Sequence, residues 1–325
     1  MKDKIIERLY LEKGFVSGEA ISNEYGLSRT AIWKHVKALR EDGYKIESRT
    51  KKGYRLVETP DNIEFNEMQE DLQTSIIGKE IFYYDSLEST NTKAKEIAFQ
   101  TKEGALVVAD EQTAGKGRLG RIWTSPKSKG IYMSVILKPD IDPVNVARLT
   151  LLGAAAINLA FADIGIESEI KWPNDVVING KKVAGVLTEM NSELGIINYI
   201  VLGAGININV NLEEIPEDLK ERATSLKIVK GEEIDRRELF IRLVSRIDEL
   251  YTEFLTTGDI DRAIQICIDN SAVIGKEIVV YQGKEKRCGR AIEINKKGEL
   301  LVQFDTGVEN LFSGEISIRG KHGYI

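Results

Sequence analysis

Only two histidines, His35 and His322, and two cysteines, Cys267 and Cys288, occur in 325 residues. A Cys/His zinc centre lacks ligands, no residue is assigned to a metal, and a disulfide framework does not follow from two cysteines 21 positions apart. We expect both cysteines to be reduced, Cys267 on a helix and Cys288 on a strand. A nucleophile–histidine engine would depend on one of two isolated rings, so the chemistry falls to Lys, Arg, Asn and Asp. An apolar signal core is also missing, because the opening run Met1 to Arg8 mixes both charge signs. The longest apolar-rich stretch, 149–162, is interrupted by Asn158 and is too short to cross a bilayer. These absences lead to the expectation of a cytoplasmic protein with no membrane partner.

What is present begins with 42% apolar and 30% charged residues, the composition of a folded chain, at a length that suggests two or three domains. The net charge of −6 hides an asymmetry, since residues 1–60 hold 13 Lys/Arg against 9 Asp/Glu and the remainder carries −10. A basic module on an acidic body reads as a nucleic-acid-binding head or, more blandly, as a solvated charged face. The order of elements favours the first. Ile5, Ile6 and Leu9 mark a first helix. Ser17 caps a second, Gly18 to about Tyr25, with Ala20, Ile21 and Tyr25 as its buried side. After Gly26-Leu27, Ser28 caps a third helix, Arg29 to about Asp42, whose apolar stripe is Ile32, Val36 and Leu39. Gly43 ends it, and strands Lys45–Arg49 and Tyr54–Val57 flank a basic tip at 50–53.

This pattern is a winged helix-turn-helix, and its residues 27–36 and 53–56 resemble the regulatory domain of bacterial biotin-operon repressors. The third helix would enter the major groove and the wing would touch phosphates. Ser28, Arg29, Thr30, Trp33, Lys34 and Lys37 on the helix, with Lys51 and Lys52 on the wing, are the expected DNA-binding residues. His35 is given no chemistry.

A second region starts after a linker at 61–78. Strands Ile81–Tyr84 and Ala105–Ala109 enclose a helix begun at Ser89-Thr90-Asn91 and running to about Phe99. Gly115, Gly117 and Gly120 satisfy G-x-G-x-x-G. However, the continuation holds Pro126 and Gly130 and then an alternating strand at 131–137, where a dinucleotide fold needs a helix. What remains is a flexible loop with the cations Lys116, Arg118 and Arg121 and the indole of Trp123, suited to an anionic ligand with a ring. Lys171-Trp172-Pro173-Asn174-Asp175, a hairpin at Asn179-Gly180, Lys181 to Gly185, and Gly203 to Asn207 after a strand Tyr199–Leu202 follow. We expect these clusters at strand ends around one cleft. Two helices, about Asp218–Val229 and Arg236–Thr256, precede short strands at 277–282, 288–295, 299–304 and 309–312, which suit a small SH3-like barrel.

In order and spacing these motifs resemble the catalytic domain of biotin protein ligases, so the resemblance spans essentially the whole chain. It implies an α+β protein: a winged helix at 1–60, a linker at 61–78, a mixed-sheet biotin/lipoate-ligase-like domain at 79–268 and an SH3-like β-barrel at 269–325. It further implies that biotin and ATP, with Mg²⁺, give biotinyl-5′-AMP. The biotin then passes to a lysine of a biotin carboxyl carrier protein, of acetyl-CoA carboxylase or pyruvate carboxylase. The adenylate-bound form is expected to dimerise and repress biotin synthesis or uptake genes at an operator DNA. Lys182 and Arg118 take the catalytic roles, and Ser89, Thr90, Asn91, Gln112, Lys116 and Gly117 join them in holding biotin. Arg121, Trp123, Asn174 and Asn207 face the nucleotide, while Lys171 and Asp175 are either structural or functional. The loop departs from the family's arginine-rich form at Lys116, which keeps the charge, and at Leu119, which does not. A repressor without ligase activity and a lipoate-type ligase are the alternatives.

Overall fold

The computed structural model describes residues 1–12, 14–41, 44–49, 52–58, 71–314, 316–321 and 323–325, and it divides into units 1–62 and 63–325. Gly43, Thr50, Lys51, positions 61–70 of the expected linker, and His322 lie outside the described residues.

The first unit is α1 (Lys2–Glu12), α2 (Gly18–Tyr25), α3 (Arg29–Glu41) and an antiparallel pair, β1 (Lys45–Arg49) with β2 (Gly53–Glu58). Ser17 and Ser28 act as helix caps, accepting from the backbone N–H of Ala20 at 3.0 Å and Ala31 at 3.2 Å. Gly26 closes α2 in the left-handed conformation, φ 66°. Ile32, Val36 and Leu39 are buried with Ile5, Leu9 and Ile21 in one core. Ala20, expected inside, is exposed, because the core side of α2 is met by Ile21 with Tyr25 partly covered. The wing is fastened by paired backbone bonds between Val16 and Tyr54, at 2.8 and 2.9 Å. Gly53 makes this approach possible: its φ is 102°, and a Cβ there would stand 1.9 Å from the Val16 carbonyl oxygen.

The second unit is built on a seven-stranded sheet. Its strands are β3 (Ile81–Tyr84), β4 (Ala105–Ala109), β5 (Gly130–Leu137), β6 (Glu169–Lys171), β7 (Asp175–Ile178), β8 (Lys181–Glu193) and β9 (Ile196–Asn207), ordered β3-β4-β5-β9-β8-β7-β6. Only β3 and β4 run parallel. Helix α4 (Thr90–Ile97) covers part of one face through Ala94, against Val107, Ile136 and Val201. The opposite face is closed by α5 (Val146–Asp163), with α6 (Leu226–Lys230) and α7 (Arg236–Thr257) in the same core. The segment from Pro143 to Asp163 is long and apolar enough to cross a membrane by composition, but it is mostly buried as the central helix of this core. Asn158 interrupts it because it donates to the backbone oxygen and hydroxyl of Ser168, at 2.8 and 2.9 Å.

After α8 (Asp261–Asp269), strands β10 (Glu277–Gln282), β11 (Glu285–Ile294), β12 (Leu300–Phe304), β13 (Gly307–Leu311) and β14 (Ile316–Gly320) form an antiparallel sheet, ordered β13-β12-β11-β10-β14. This is the SH3-like part, and β14 adds a fifth strand to the four expected from the sequence. The expected helix 218–229 is replaced by a 3₁₀ turn at Glu217–Leu219 and the short α6. Cys267 is buried on α8 and Cys288 exposed on β11, both free.

Candidate functional site

Glycines carve the floor of the site into the middle of the sheet. In the strand register Ser134, Gly203 and Leu187 lie side by side, and Gly205 and Gly185 form the next row on the same face. At each of the three glycines another side chain fills the space a Cβ would take. A Cβ on Gly203 would stand 2.0 Å from Asn91 Oδ1, one on Gly205 2.6 Å from Trp123 Nε1, and one on Gly185 2.9 Å from Lys182 Nζ. The expected placement at strand ends is thereby corrected. Gly203, Gly205 and Gly185 lie inside long strands, and the cleft opens on the face of the sheet.

Lys182 reaches that face because of a bulge. Asp175 pairs with Gly185 and Val176 with Ala184, but Val177 pairs with Lys182, leaving Val183 as the extra residue. A regular ladder would turn Lys182 to the opposite face. Instead its Nζ lies 2.6 Å from Asp175 Oδ1 and 5.0 Å from the centre of the Trp123 ring.

The polar end of the pocket is a closed network at the start of α4. Ser89 caps the helix. The Thr90 N–H and hydroxyl both donate to Gln112 Oε1, at 2.8 and 3.2 Å, and Gln112 Nε2 donates to Ser125 Oγ at 2.9 Å. Asn91 Nδ2 donates to Glu189 Oε2 at 2.8 Å, and the Ser134 hydroxyl lies 2.6 Å from Asn91 Oδ1 and 2.8 Å from Thr90 Oγ1. Ser134 and Glu189 were not picked out from sequence. Ser134 did leave a signal, as the one serine in an eight-residue, wholly buried strand.

The glycine-rich loop is built as a tight turn over this floor. The Gly117 N–H donates to the Arg121 carbonyl at 2.8 Å, and Leu119 sits at φ 57°, a left-handed conformation costly for leucine. Lys116 is at the rim, 3.0 Å from Thr92 Oγ1. Arg118 donates to Asn174 Oδ1 at 3.0 Å and to the carbonyls of Ser313, Gly314 (2.8 Å) and Ile316 (3.1 Å), tying the loop to the C-terminal sheet. Burial pushes its guanidinium below its ordinary value, with Asp175 opposing.

One cavity is therefore lined by Ser89, Thr90, Asn91, Gln112, Lys116 and Gly117 together with Arg118, Trp123, Asn174 and Lys182. An adjoining one is lined by Arg118, Arg121, Trp123, Asn174, Lys182 and Asn207, and adds Lys171, Asp175, Arg222 and Tyr324. All the expected small-ligand residues fall on these two connected cavities. Asn207 donates to the Thr224 carbonyl at 3.1 Å, and backbone bonds of 2.8 Å from Lys182 to Arg222 and from Thr224 to Lys182 fasten the segment that roofs the second cavity. Burial lowers the Lys171 ammonium to about 7 against the pull of Asp175. Burial also pushes the Asp175 carboxyl upward, but the charges of Lys182 and Lys171 and the bonds from Lys182 and Tyr324 hold it below its ordinary value.

On the first unit Arg29, Thr30, Trp33, Lys34 and Lys37 are exposed on α3, as are its cap Ser28 and the wing residue Lys52; Lys51 is not described. Trp33 is 53% exposed with Lys37 Nζ 5.9 Å from its ring centre. Arg49 and Arg55 stack on Phe15 at 5.2 and 5.0 Å and both bond Glu47, which fixes the base of the wing.

Residues 83–207 match the family model of the biotin/lipoate A/B protein ligases, and residues 2–55 match an HTH domain model. The chain is similar to the bifunctional ligase/repressor BirA of Bacillus spizizenii, 39% identical over 307 residues, 94% of each chain. It is also similar to the protein of the same name from Escherichia coli K12, 28% identical over 94% of this chain and 93% of that one. Among solved structures it resembles the Aquifex aeolicus biotin protein ligase in complex with biotin and ATP. That match has a TM-score of 0.66 and 31% identity and covers 75% of this chain and all of that one.

Proposed function

The chain belongs to the family of bifunctional biotin ligases and repressors, and on that footing we propose that it activates biotin with ATP, biotinylates a carrier protein and represses transcription. The observation that carries the chemistry is the convergence of Lys182, Arg118 and the Thr90–Gln112 network on connected cavities over a glycine floor. A biotin carboxylate is already ionised at neutral pH, so it attacks the α-phosphorus without a general base. A new acyl-oxygen–phosphorus bond forms and pyrophosphate departs with the electron pair of the bond that breaks. Holding two anions together is then the central task, and fixed cations in a sheltered cleft accomplish it. Lys182 takes the carboxylate and α-phosphate. Ser89, Thr90, Asn91 and Gln112 receive the ureido head, and Lys116, Gly117 and Arg118 close over the acyl-phosphate. Arg121, Trp123, Asn174 and Asn207 face the nucleotide, with the indole as its stacking surface.

Mg²⁺ enters with ATP. Among the described residues no group of three or more His, Cys, Asp or Glu can hold a metal ion, and Asp175 is engaged by Lys182 and Tyr324. This donor set fits an ion whose ligands are mainly phosphate oxygens and water. In the second half-reaction a lysine amine of a carrier domain, of acetyl-CoA carboxylase or pyruvate carboxylase, attacks the acyl carbon and AMP leaves. Adenylate that finds no carrier favours a homodimer, whose paired α3 helices read an operator in the cytoplasm. Biotin-dependent exchange of labelled pyrophosphate into ATP, with lipoate in parallel, tests the enzyme. Exchange with biotin alone is expected; exchange with lipoate, or with neither, overturns it.

A further inference from the structure

Asp175, 8% exposed, stands between two groups: Lys182 Nζ is 2.6 Å from Oδ1, and the Tyr324 hydroxyl donates to Oδ2. Lys171 Nζ lies 3.3 Å from the centre of the Tyr324 ring. Lys182 is thus paired with a carboxylate inside the cleft itself. To meet the anions of the reaction it turns away from Oδ1 within the cavity it lines, where the missing Cβ of Gly185 is what lets its Cε and Nζ lie over the sheet. The turn removes the closest cation from a buried carboxylate, which is costly unless other donors remain.

Resting on the role given to Lys182 above, we propose that Tyr324 is a positioning residue for biotin activation: its hydroxyl holds Asp175 while Lys182 exchanges that carboxylate for the substrates. Its ring also lies against the Lys171 amino group. The plain alternative is that Tyr324 only docks the end of the fold, where the Gly320 N–H meets the Tyr324 carbonyl at 3.3 Å and a Cβ on Gly320 would stand 2.8 Å from Ile325.

Tyr324→Phe separates the two, because it keeps the ring and the docking and removes only the donor. In biotin-dependent ATP–pyrophosphate exchange on the full chain at saturating ATP, kcat should fall on the order of tenfold, with the KM for biotin within about twofold. Asp175→Asn should also lower kcat, and adding Tyr324→Phe to it should change kcat by less than about twofold, since the hydroxyl acts through that carboxylate. An unchanged kcat in Tyr324→Phe, or a double variant whose loss is the product of the single losses, overturns the proposal. Should the phenylalanine variant not fold, Tyr324→Gln, which retains a donor, should keep more kcat than Tyr324→Leu; equal values overturn it too. Wild-type protein inert with biotin refutes the proposed function itself, whereas active wild type beside unaffected variants refutes only this inference.

Discussion

Arg118 joins two jobs in one side chain, since its guanidinium reaches Asn174 in the cleft and three carbonyls at the entry to β14 of the C-terminal sheet. Replacing it by glycine cuts the loop loose at both ends. The reactive adenylate should then escape to solution and label exposed lysines without selection, because a lid over a mixed anhydride excludes stray amines. Biotin labelling of an added bystander protein measures this, and labelling confined to the carrier would refute it. Lys182→Ala should retain biotin binding yet lose on the order of a hundredfold or more in pyrophosphate exchange, because its charge matters most as negative charge gathers at the α-phosphorus. Calorimetric biotin affinity set beside exchange rate checks the split. At this scale the motifs announced most of the pocket, because cations and glycines clustered on a loop stand out in a chain poor in histidine. Tyr324 and Glu189 carried no such mark. Each acts through a partner distant in sequence, Asp175 and Asn91 respectively, and only the folded chain brings them together.

Among elements, those with a local cause were the legible ones. Ser17, Gly26 and Ser28 punctuate α2 and α3, and the 3.6-residue stripe of Ile32, Val36 and Leu39 is independent of anything farther along the chain. The expected helix 218–229 is lost over 218–224 for a tertiary reason: Arg222 and Thr224 bond the Lys182 backbone, and the helical pattern survives only in α6. The same holds for the bulge at Val183, which is visible only once β7 and β8 are paired. Contacts between elements also set a pH dependence. Asp163 at the end of α5 accepts from Arg246 of α7 at 2.7 and 2.9 Å, bonds that hold its carboxyl below the ordinary 3.8. A folded value below the unfolded one stabilises the protein above pH 3.8 and stops doing so as pH falls through the folded value. Asp163→Asn should therefore cost about 1 kcal/mol near neutrality, and its melting temperature should converge with that of wild type in acid. A deficit that persists unchanged into acid would show that packing, not charge, is responsible.

For the whole molecule, the division into units 1–62 and 63–325 separates reading DNA from making the adenylate. All the expected small-ligand residues lie in the second unit, and the exposed face of α3 belongs to the first. One winged helix covers a single half-site, and a net charge of +4 over residues 1–60 is modest for tight operator binding. Pairing two chains on a palindrome doubles both the phosphate and the base contacts, so the regulatory state should be the dimer. If adenylate favours that dimer, the dimer must hold adenylate more tightly by the same factor. Sedimentation of the full chain should show a shift toward dimer with biotin plus ATP, operator affinity should rise with it, and apo carrier protein should reverse both by consuming the adenylate. A chain beginning at residue 63 should lose operator binding in gel shifts while keeping at least part of the exchange activity. Association and DNA affinity that both ignore adenylate would leave a ligase with an unrelated DNA-binding head.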